Sequence, residues 1–238
     1  MGNIYFDNVN ISAAYSATPT GSGTFGAPTR DVEAIEVPGR NGDIVIDHGR
    51  YSNIEVVYPC FINRNFAQNY QGLKSFLTSR IGYKRLEDDY HPGYYRMAYF
   101  ASGIEPDMRT LNRAGSFELV FSCKPQKHLT SGETPVAMSA SGAIFNPTLF
   151  EAKPIITVTG TAGGSGTISI GGKTLTISYI VNGMVLDSDE ENARSADHAS
   201  NYNNYVSGEF PVIPGGSQTV TITGAISGLS IVPNWWEI

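Results

Sequence analysis

The sequence predicts a mainly β chain of two domains: an N-terminal β-sandwich with one packed α-helix and a projecting hairpin, then a C-terminal antiparallel β-sandwich. Three observations carry this. The 238 residues include 26 Gly and 13 Pro, which punctuate runs of Val, Ile and Thr, with 24 Tyr plus Phe and only 16% charged residues, a composition of strands and turns. One stretch has a strong helical periodicity. Near residue 130 the aromatic density falls and the charge changes: residues 1–128 hold 13 Lys/Arg against 13 Asp/Glu, whereas 129–238 hold 3 against 9 and account for the whole net charge of −6. The length suits two domains of roughly 100–130 residues, and the shift places their boundary between 1–130 and 131–238.

In chain order, Ile4-Tyr5-Phe6 and Val9-Asn10-Ile11 read as short strands around an Asp7-Asn8 turn. A polar Gly/Ser/Thr/Pro tract, residues 18–29, leads into the most informative stretch. There Ala34-Ile35-Glu36-Val37 and Ile44-Val45-Ile46 flank Pro38-Gly39-Arg40-Asn41-Gly42. Proline presets φ, and Gly39 with the Asn-Gly pair supplies the positive φ of a tight reversal. This is a hairpin leaving a loop-rich edge, and an apolar stripe on such a hairpin calls for something to pack against, such as a neighbouring subunit. Residues 51–62 alternate and then turn continuously apolar, a strand entering a core, with Pro59 placing it at an edge or a bulge.

Phe66, Tyr70, Leu73, Phe76 and Leu77 share one face at 3.6 residues per turn, while Gln68, Gln71, Lys74, Thr78 and Arg80 take the other. Asn63 or Asn65 can cap the start of this helix and Gly82 can end it. Strands resume at 83–86, 94–100 and 115–121, with turns at Glu87-Asp88-Asp89 and His91-Pro92-Gly93. Beyond the boundary, runs of four to six residues at 155–159, 166–170, 174–177, 184–186, 220–223 and 229–232 are separated by Gly-Gly, Asn-Gly and Pro-Gly-Gly turns, as in an antiparallel sandwich.

The sequence offers little to a catalyst. Asp187, Asp189, Glu190 and Glu191 form the sharpest charge cluster, but lack the spaced ligands and central Gly of a calcium loop. As a glycosidase pair they would have to face each other across a cleft about 5–9 Å wide, and adjacency in the chain does not argue for that. His48, His91, His128 and His198 are scattered without metal-ligand spacing, and neither a Gly-x-Ser-x-Gly elbow nor a phosphate-binding loop occurs. Catalytic, metal and cofactor sites are accordingly expected to be absent. Cys60 and Cys123 lie in apolar strand-like runs and read as buried free thiols. Trp235-Trp236 could stack on a sugar; neighbouring residues on a strand face opposite ways, so one ring should plug the core and the other lie at the surface. The acidic second half argues against a nucleic-acid-binding face. No run of about 18 apolar residues suggests a membrane helix, and the N-terminus has no signal-peptide pattern, so synthesis and assembly are expected in a cytoplasm.

Taken in order, Val37-Pro38-Gly39-Arg40-Asn41-Gly42-Asp43, Tyr51, Leu73-Lys74-Ser75-Phe76-Leu77, Gly82-Tyr83-Lys84-Arg85-Leu86, Pro92-Gly93-Tyr94-Tyr95-Arg96 and Phe117-Glu118-Leu119-Val120-Phe121-Ser122-Cys123-Lys124-Pro125 resemble the N-terminal domain of the distal tail proteins (Dit) of long-tailed phages, especially those of Gram-positive hosts. The second half is similar to that family too, at Phe145-Asn146-Pro147-Thr148, Lys153-Pro154-Ile155-Ile156, Leu186-Asp187-Ser188, residues 208–215 and Pro233-Asn234-Trp235-Trp236. The chain resembles a short form, without an inserted carbohydrate-binding module.

The resemblance implies a structural protein of the virion. It implies a homohexameric ring at the tip of the tail tube, a galectin-like C-terminal sandwich pointing outward, and a channel that lets DNA through. Its partners would be the tail tube protein, the tail-tip hub or tail-associated lysin, and receptor-binding or other baseplate proteins, with no membrane. The hairpin would be the arm that embraces the next protomer, through Ile35, Val37, Pro38, Arg40, Asn41, Asp43, Ile44 and Ile46. A carbohydrate-binding role of the C-terminal sandwich is the alternative, with Trp235 and Trp236 as candidate sugar contacts; a wall-degrading enzyme is more distant.

Overall fold

The computed structural model describes residues 2–21, 25–109 and 113–238. Half of the structure is strand and a tenth is helix, so the chain is mainly β, as its composition requires. It divides into two compact units, Met1–Lys127 with Ile238, and His128–Glu237.

The first unit contains β1 (Ile4–Phe6), β2 (Val9–Asn10), α1 (Ile11–Ala14), β3 (Thr18–Pro19), β4 (Arg30–Ile35), β5 (Ile44–Tyr51), β6 (Ile54–Ile62), α2 (Phe66–Thr78), β7 (Lys84–Asp88), β8 (Tyr94–Tyr99), β9 (Asp107–Arg109) and most of β10 (Ala114–Leu129). Its main sheet runs β2-β1-β7-β8-β10-β6-β3, with β9 on β10. On β6 the residues Ile54, Val56, Tyr58, Cys60 and Ile62 are buried in strict alternation, matched on β10 by Phe117, Leu119, Phe121 and Cys123, so one face of the sheet belongs to the core. The sheet is strongly curled around that core. Tyr58 on β6 donates its hydroxyl proton to Asp88 on β7 at 2.5 Å, although two strands separate them in the sheet. Such curling is the right-handed twist of strands carried far enough to bring distant strands into contact.

Helix α2 closes the concave side with Phe66, Leu73 and Leu77 buried, and Tyr70 and Phe76 packed beside them, the stripe that the periodicity predicts. Asn65 occupies the N-cap position without a side-chain cap bond, in a left-handed conformation. The nearest side-chain tie at this end is Asn69, whose amide donates to the Arg64 carbonyl at 3.1 Å. Ile11 departs from the expected strand: Asn10 accepts from the Ala13 N–H at 2.9 Å and starts a helical turn there, since a short amide side chain competes well at an N-cap. Pro59 costs no bond to β10. Its carbonyl accepts from the Thr20 N–H at 2.8 Å, and in a strand the N–H and C=O of one residue point the same way, so the missing donor faces away from β10.

The second unit holds β11 (Val136–Met138), β12 (Gly142–Asn146), β13 (Ile155–Gly160), β14 (Gly166–Ile170), β15 (Lys173–Ile177), β16 (Met184–Asp187), β17 (Asn192–Arg194), β18 (Val206–Gly208), β19 (Gly216–Gly224), β20 (Ile226–Val232) and β21 (Trp236–Glu237). Among the described residues β11 to β20 form two antiparallel sheets, β11-β20-β13-β16-β17 and β12-β19-β14-β15-β18, while β21 pairs with β10; Ile156, Val158, Ile168, Ile170, Leu175, Leu186 and Ile231 are fully buried between the two sheets. The incoming and outgoing ends of the unit are tied together: the Leu129 N–H donates to the Trp235 carbonyl and the Asn234 N–H to the Gly132 carbonyl, both at 2.9 Å. Gly132 is obligatory, because a Cβ there would lie 2.4 Å from the Trp235 nitrogen. Among the described residues no helix is long and apolar enough to cross a membrane.

Asn146 is the polar keystone of the second unit. Its buried amide donates to the carbonyls of Phe150 (2.9 Å) and Ile213 (2.8 Å), and its oxygen accepts from the Thr148 N–H and hydroxyl, both at 2.9 Å. Asn146→Ala strands these buried partners. It should lower stability by about 2–3 kcal/mol, read as a reduced unfolding midpoint in a denaturant titration; a change below about 0.5 kcal/mol would contradict the assignment.

Candidate assembly interface

Strands β4 and β5 pair with each other and, among the described residues, belong to no other sheet. This is the expected hairpin, joined by the turn in which the Arg40 N–H donates to the Val37 carbonyl at 3.1 Å and Gly39 and Gly42 both take φ of +81°. The arm stands in solvent along its length: every residue from Val32 to Arg50 is exposed. All eight expected contact residues are among them, and the turn places Pro38, Arg40, Asn41 and Asp43 together at the tip.

The register sorts the side chains. Ile35 lies opposite Ile44 and Glu33 opposite Ile46, and directly opposed residues share a face, so Ile35, Ile44 and Ile46 form one stripe. Ala34 lies opposite Val45 and Val32 opposite Asp47, which makes a second apolar stripe on the other side. Val45 is 62% exposed and Val32 47%. Sequence reading of the interface missed this second stripe, although the unbroken run Ile44-Val45-Ile46 carried the signal: apolar residues at consecutive strand positions point to opposite faces.

The base of the arm is held by charge. Arg30 pairs with Asp47, Arg50 with Asp31 at 2.5 Å, and the Arg30 guanidinium sits 5.6 Å from the Tyr51 ring centroid. The hydrogen bond from Arg30, reinforced by the Gly49 N–H at 2.8 Å, holds the Asp47 carboxyl below the ordinary carboxylate value of 3.8.

The convex face of the main sheet is the second notable surface. Residues of the opposite parity to the core strands lie there. Tyr83, 38% exposed, meets Tyr99 edge-on at 5.2 Å. Its hydroxyl accepts from Asn53 at 2.7 Å, and the Lys124 ammonium lies 5.2 Å from its ring centroid. Arg85 stacks on Tyr95 at 3.9 Å. Further along, Pro59, Glu118 and Val120 floor a shallow groove lined also by Glu105 and Asp107.

The remaining candidates are structural. Asp187 is buried and its Oδ1 accepts from the backbones of Asp189 (3.0 Å) and Glu190 (3.2 Å), while Oδ2 faces Arg194 at 3.5 Å; Asp189 pairs with Lys153 at 3.1 Å. These carboxylates shape a turn, and among the described residues no group of His, Cys, Asp and Glu could hold a metal ion. Trp235 is 6% exposed in the core, and Trp236 stacks on Phe150 at 4.5 Å with its N–H on the Glu151 carbonyl at 3.0 Å, so the two indoles share no open platform. Burial pushes the Cys60 and Cys123 thiols up to about 12, which removes the thiolate that a catalytic or metal-binding role needs.

No protein-family model matches the chain, and no curated protein matches it. Solved structures do. A crystal structure of the SPP1 Dit protein (gp 19.1), described as a paradigm of the hub adsorption apparatus in phages infecting Gram-positive bacteria, matches with a TM-score of 0.80 over 100% of both chains at 11% identity. The fold is that of a Dit protein. A chain of the phage p2 baseplate in its activated conformation with strontium matches with a TM-score of 0.50, covering 97% of this chain and 96% of its own, at 10% identity. With identity this low, the likeness to the Dit fold resides in architecture, and the arm has to be judged on its own chemistry.

Because the folded-state pKa of Asp47 is depressed, the Arg30–Asp47 clamp is complete above the unfolded carboxylate value of 3.8 and is lost as pH falls through the lower folded value. The Gly49 amide resonance, reporting its bond to Asp47, should titrate with a midpoint below 3.8; a midpoint at or above that value would rule the clamp out.

Proposed function

We propose that this protein is a Dit-type hub of a long-tailed phage. It forms a homohexameric ring at the distal end of the tail tube, joins the tube to the tail-tip adsorption apparatus, and leaves a central passage for DNA. The observation that carries this reading is the arm: a β-ladder outside every other sheet, apolar on both faces and exposed on both. A lone two-stranded hairpin is marginal in water, and each Val or Ile on it gains about 1.5–3 kcal/mol on burial. An arm of this kind is built to be covered by another molecule, and the Dit fold supports a copy of the same chain as that molecule. One arm on one neighbouring surface is a head-to-tail contact, which closes into a ring when repeated through the right rotation.

The remaining assignments rest on this ring. Its two ends differ, as suits a joint between the tube protein on one side and the tip hub, lysin and receptor-binding or baseplate proteins on the other. Residues 1–128, with balanced charge, would bring the ring-forming unit past DNA without the clustered Lys and Arg that retain phosphate. The second unit would face outward. The site of action is the virion tail tip, with assembly in the host cytoplasm.

Native mass measurement and negative-stain electron microscopy of the pure protein, alone and with its tail partners, test the reading. The expected result is a six-fold ring. Ile44→Asp combined with Ile46→Asp, both at exposed positions, should leave circular dichroism unchanged and shift the population to monomer. Monomer under every condition, or rings that persist in the double variant, would overturn it.

A further inference from the structure

We propose that the tip of the arm docks on the Tyr83–Tyr99–Lys124 surface of the neighbouring copy, through its Val32–Ala34–Val45 face. This deepens the ring assignment and rests on it. Continuing the register by one pair beyond Ile35 and Ile44 sets Glu36 opposite Asp43. Like charges directly opposed across a ladder destabilise it, and no cation of this chain pairs with either among the described residues: Arg30 and Arg50 are engaged at the base, and Arg40 makes no ion pair. The outer arm is left with two carboxylates against the single cation of Arg40, a surplus of negative charge that a cation on another molecule can offset.

The convex sheet face supplies what the arm tip lacks. Lys124 is exposed, and among the described residues its contact is the Tyr83 ring rather than a carboxylate. Tyr83 beside it meets Tyr99 edge-on, and the half-buried Met97 shares the face of Tyr99 two residues along β8, an aromatic and thioether surface suited to Val32, Ala34 and Val45. Tyr83 is held in place from below by Asn53, whose amide also donates to Ser122 at 3.2 Å, so the surface is formed before the arm arrives. The neighbouring groove at Pro59 is a poor receptor, because Glu105, Asp107 and Glu118 line it and would repel Glu36 and Asp43. In this arrangement Lys124 of one copy lies between the two carboxylates of the next.

Charge reversal tests the pairing in the full-length chain. Lys124→Glu should raise the protein concentration at half-assembly by at least about tenfold, since a like-charge contact at an interface costs more than about 1.4 kcal/mol. Glu36→Lys with Asp43→Lys should do the same, and the three changes together should recover at least half of the loss. All positions are exposed, and an unchanged thermal midpoint checks that the fold survives. Wild-type assembly of Lys124→Glu, or a triple variant no better than either parent, would overturn the docking surface. A variant with residues 34–45 replaced by a Gly-Ser linker separates the two ideas: if it still forms rings, the arm-mediated ring itself fails, whereas if it is monomeric while Lys124→Glu assembles normally, only the docking surface fails.

Discussion

A ladder of two strands can satisfy the backbone groups that point inward, but it has no layer to lay its side chains on. In β4 and β5 this shortage is extreme, because Ile35, Ile44 and Ile46 occupy one face and Val32, Ala34 and Val45 the other, and all of them are exposed. Neither propensity nor the turn at Gly39 and Gly42 removes that apolar surface from water; only a second body can. The ion pairs of Arg30 with Asp47 and Arg50 with Asp31 hold the root of the arm in register while leaving its outer two-thirds free of ionic ties. Order at the base and unmet demand beyond it are what a limb needs if it is to be set in place by its partner.

The rest of the first unit is the scaffold from which that limb extends. Curling brings Tyr58 to Asp88 and lets α2 fill the concave side with Phe66, Leu73 and Leu77, so the core is completed by elements of a single chain. The convex side is then left with tyrosines and cations in mutual contact, Arg85 on Tyr95 and Lys124 by Tyr83. Cation–aromatic contacts of this sort are worth about 0.5–1 kcal/mol when exposed and more once water is removed, so such a face gains from being covered without requiring it for folding.

Much of this was legible from residue order. The helix face was written in Phe66, Tyr70, Leu73, Phe76 and Leu77, and the hairpin in its Pro-Gly and Asn-Gly turn. What was not legible depended on register and on distant partners. That Val45 opposes Ala34 is a consequence of which residues pair, so half of the arm's apolar surface escaped notice. Ile11 left the strand pattern because Asn10 caps a turn, a local competition that apolar spacing does not record. The fate of Asp187 was likewise hidden, since its Arg194 contact and two backbone donors exist only once the turn has formed. Trp235 lies in the core, and Phe150, the ring on which Trp236 stacks, lies far away in the chain.

The two thiols carry a consequence of their own. Cys60 and Cys123 sit on adjoining strands of the same core, each protonated at any physiological pH because burial disfavours the anion. Oxidants act on the thiolate, and disulfide exchange starts from it. The packing therefore shields both thiols from oxidation and disulfide exchange, with no reductant and no disulfide needed to preserve them.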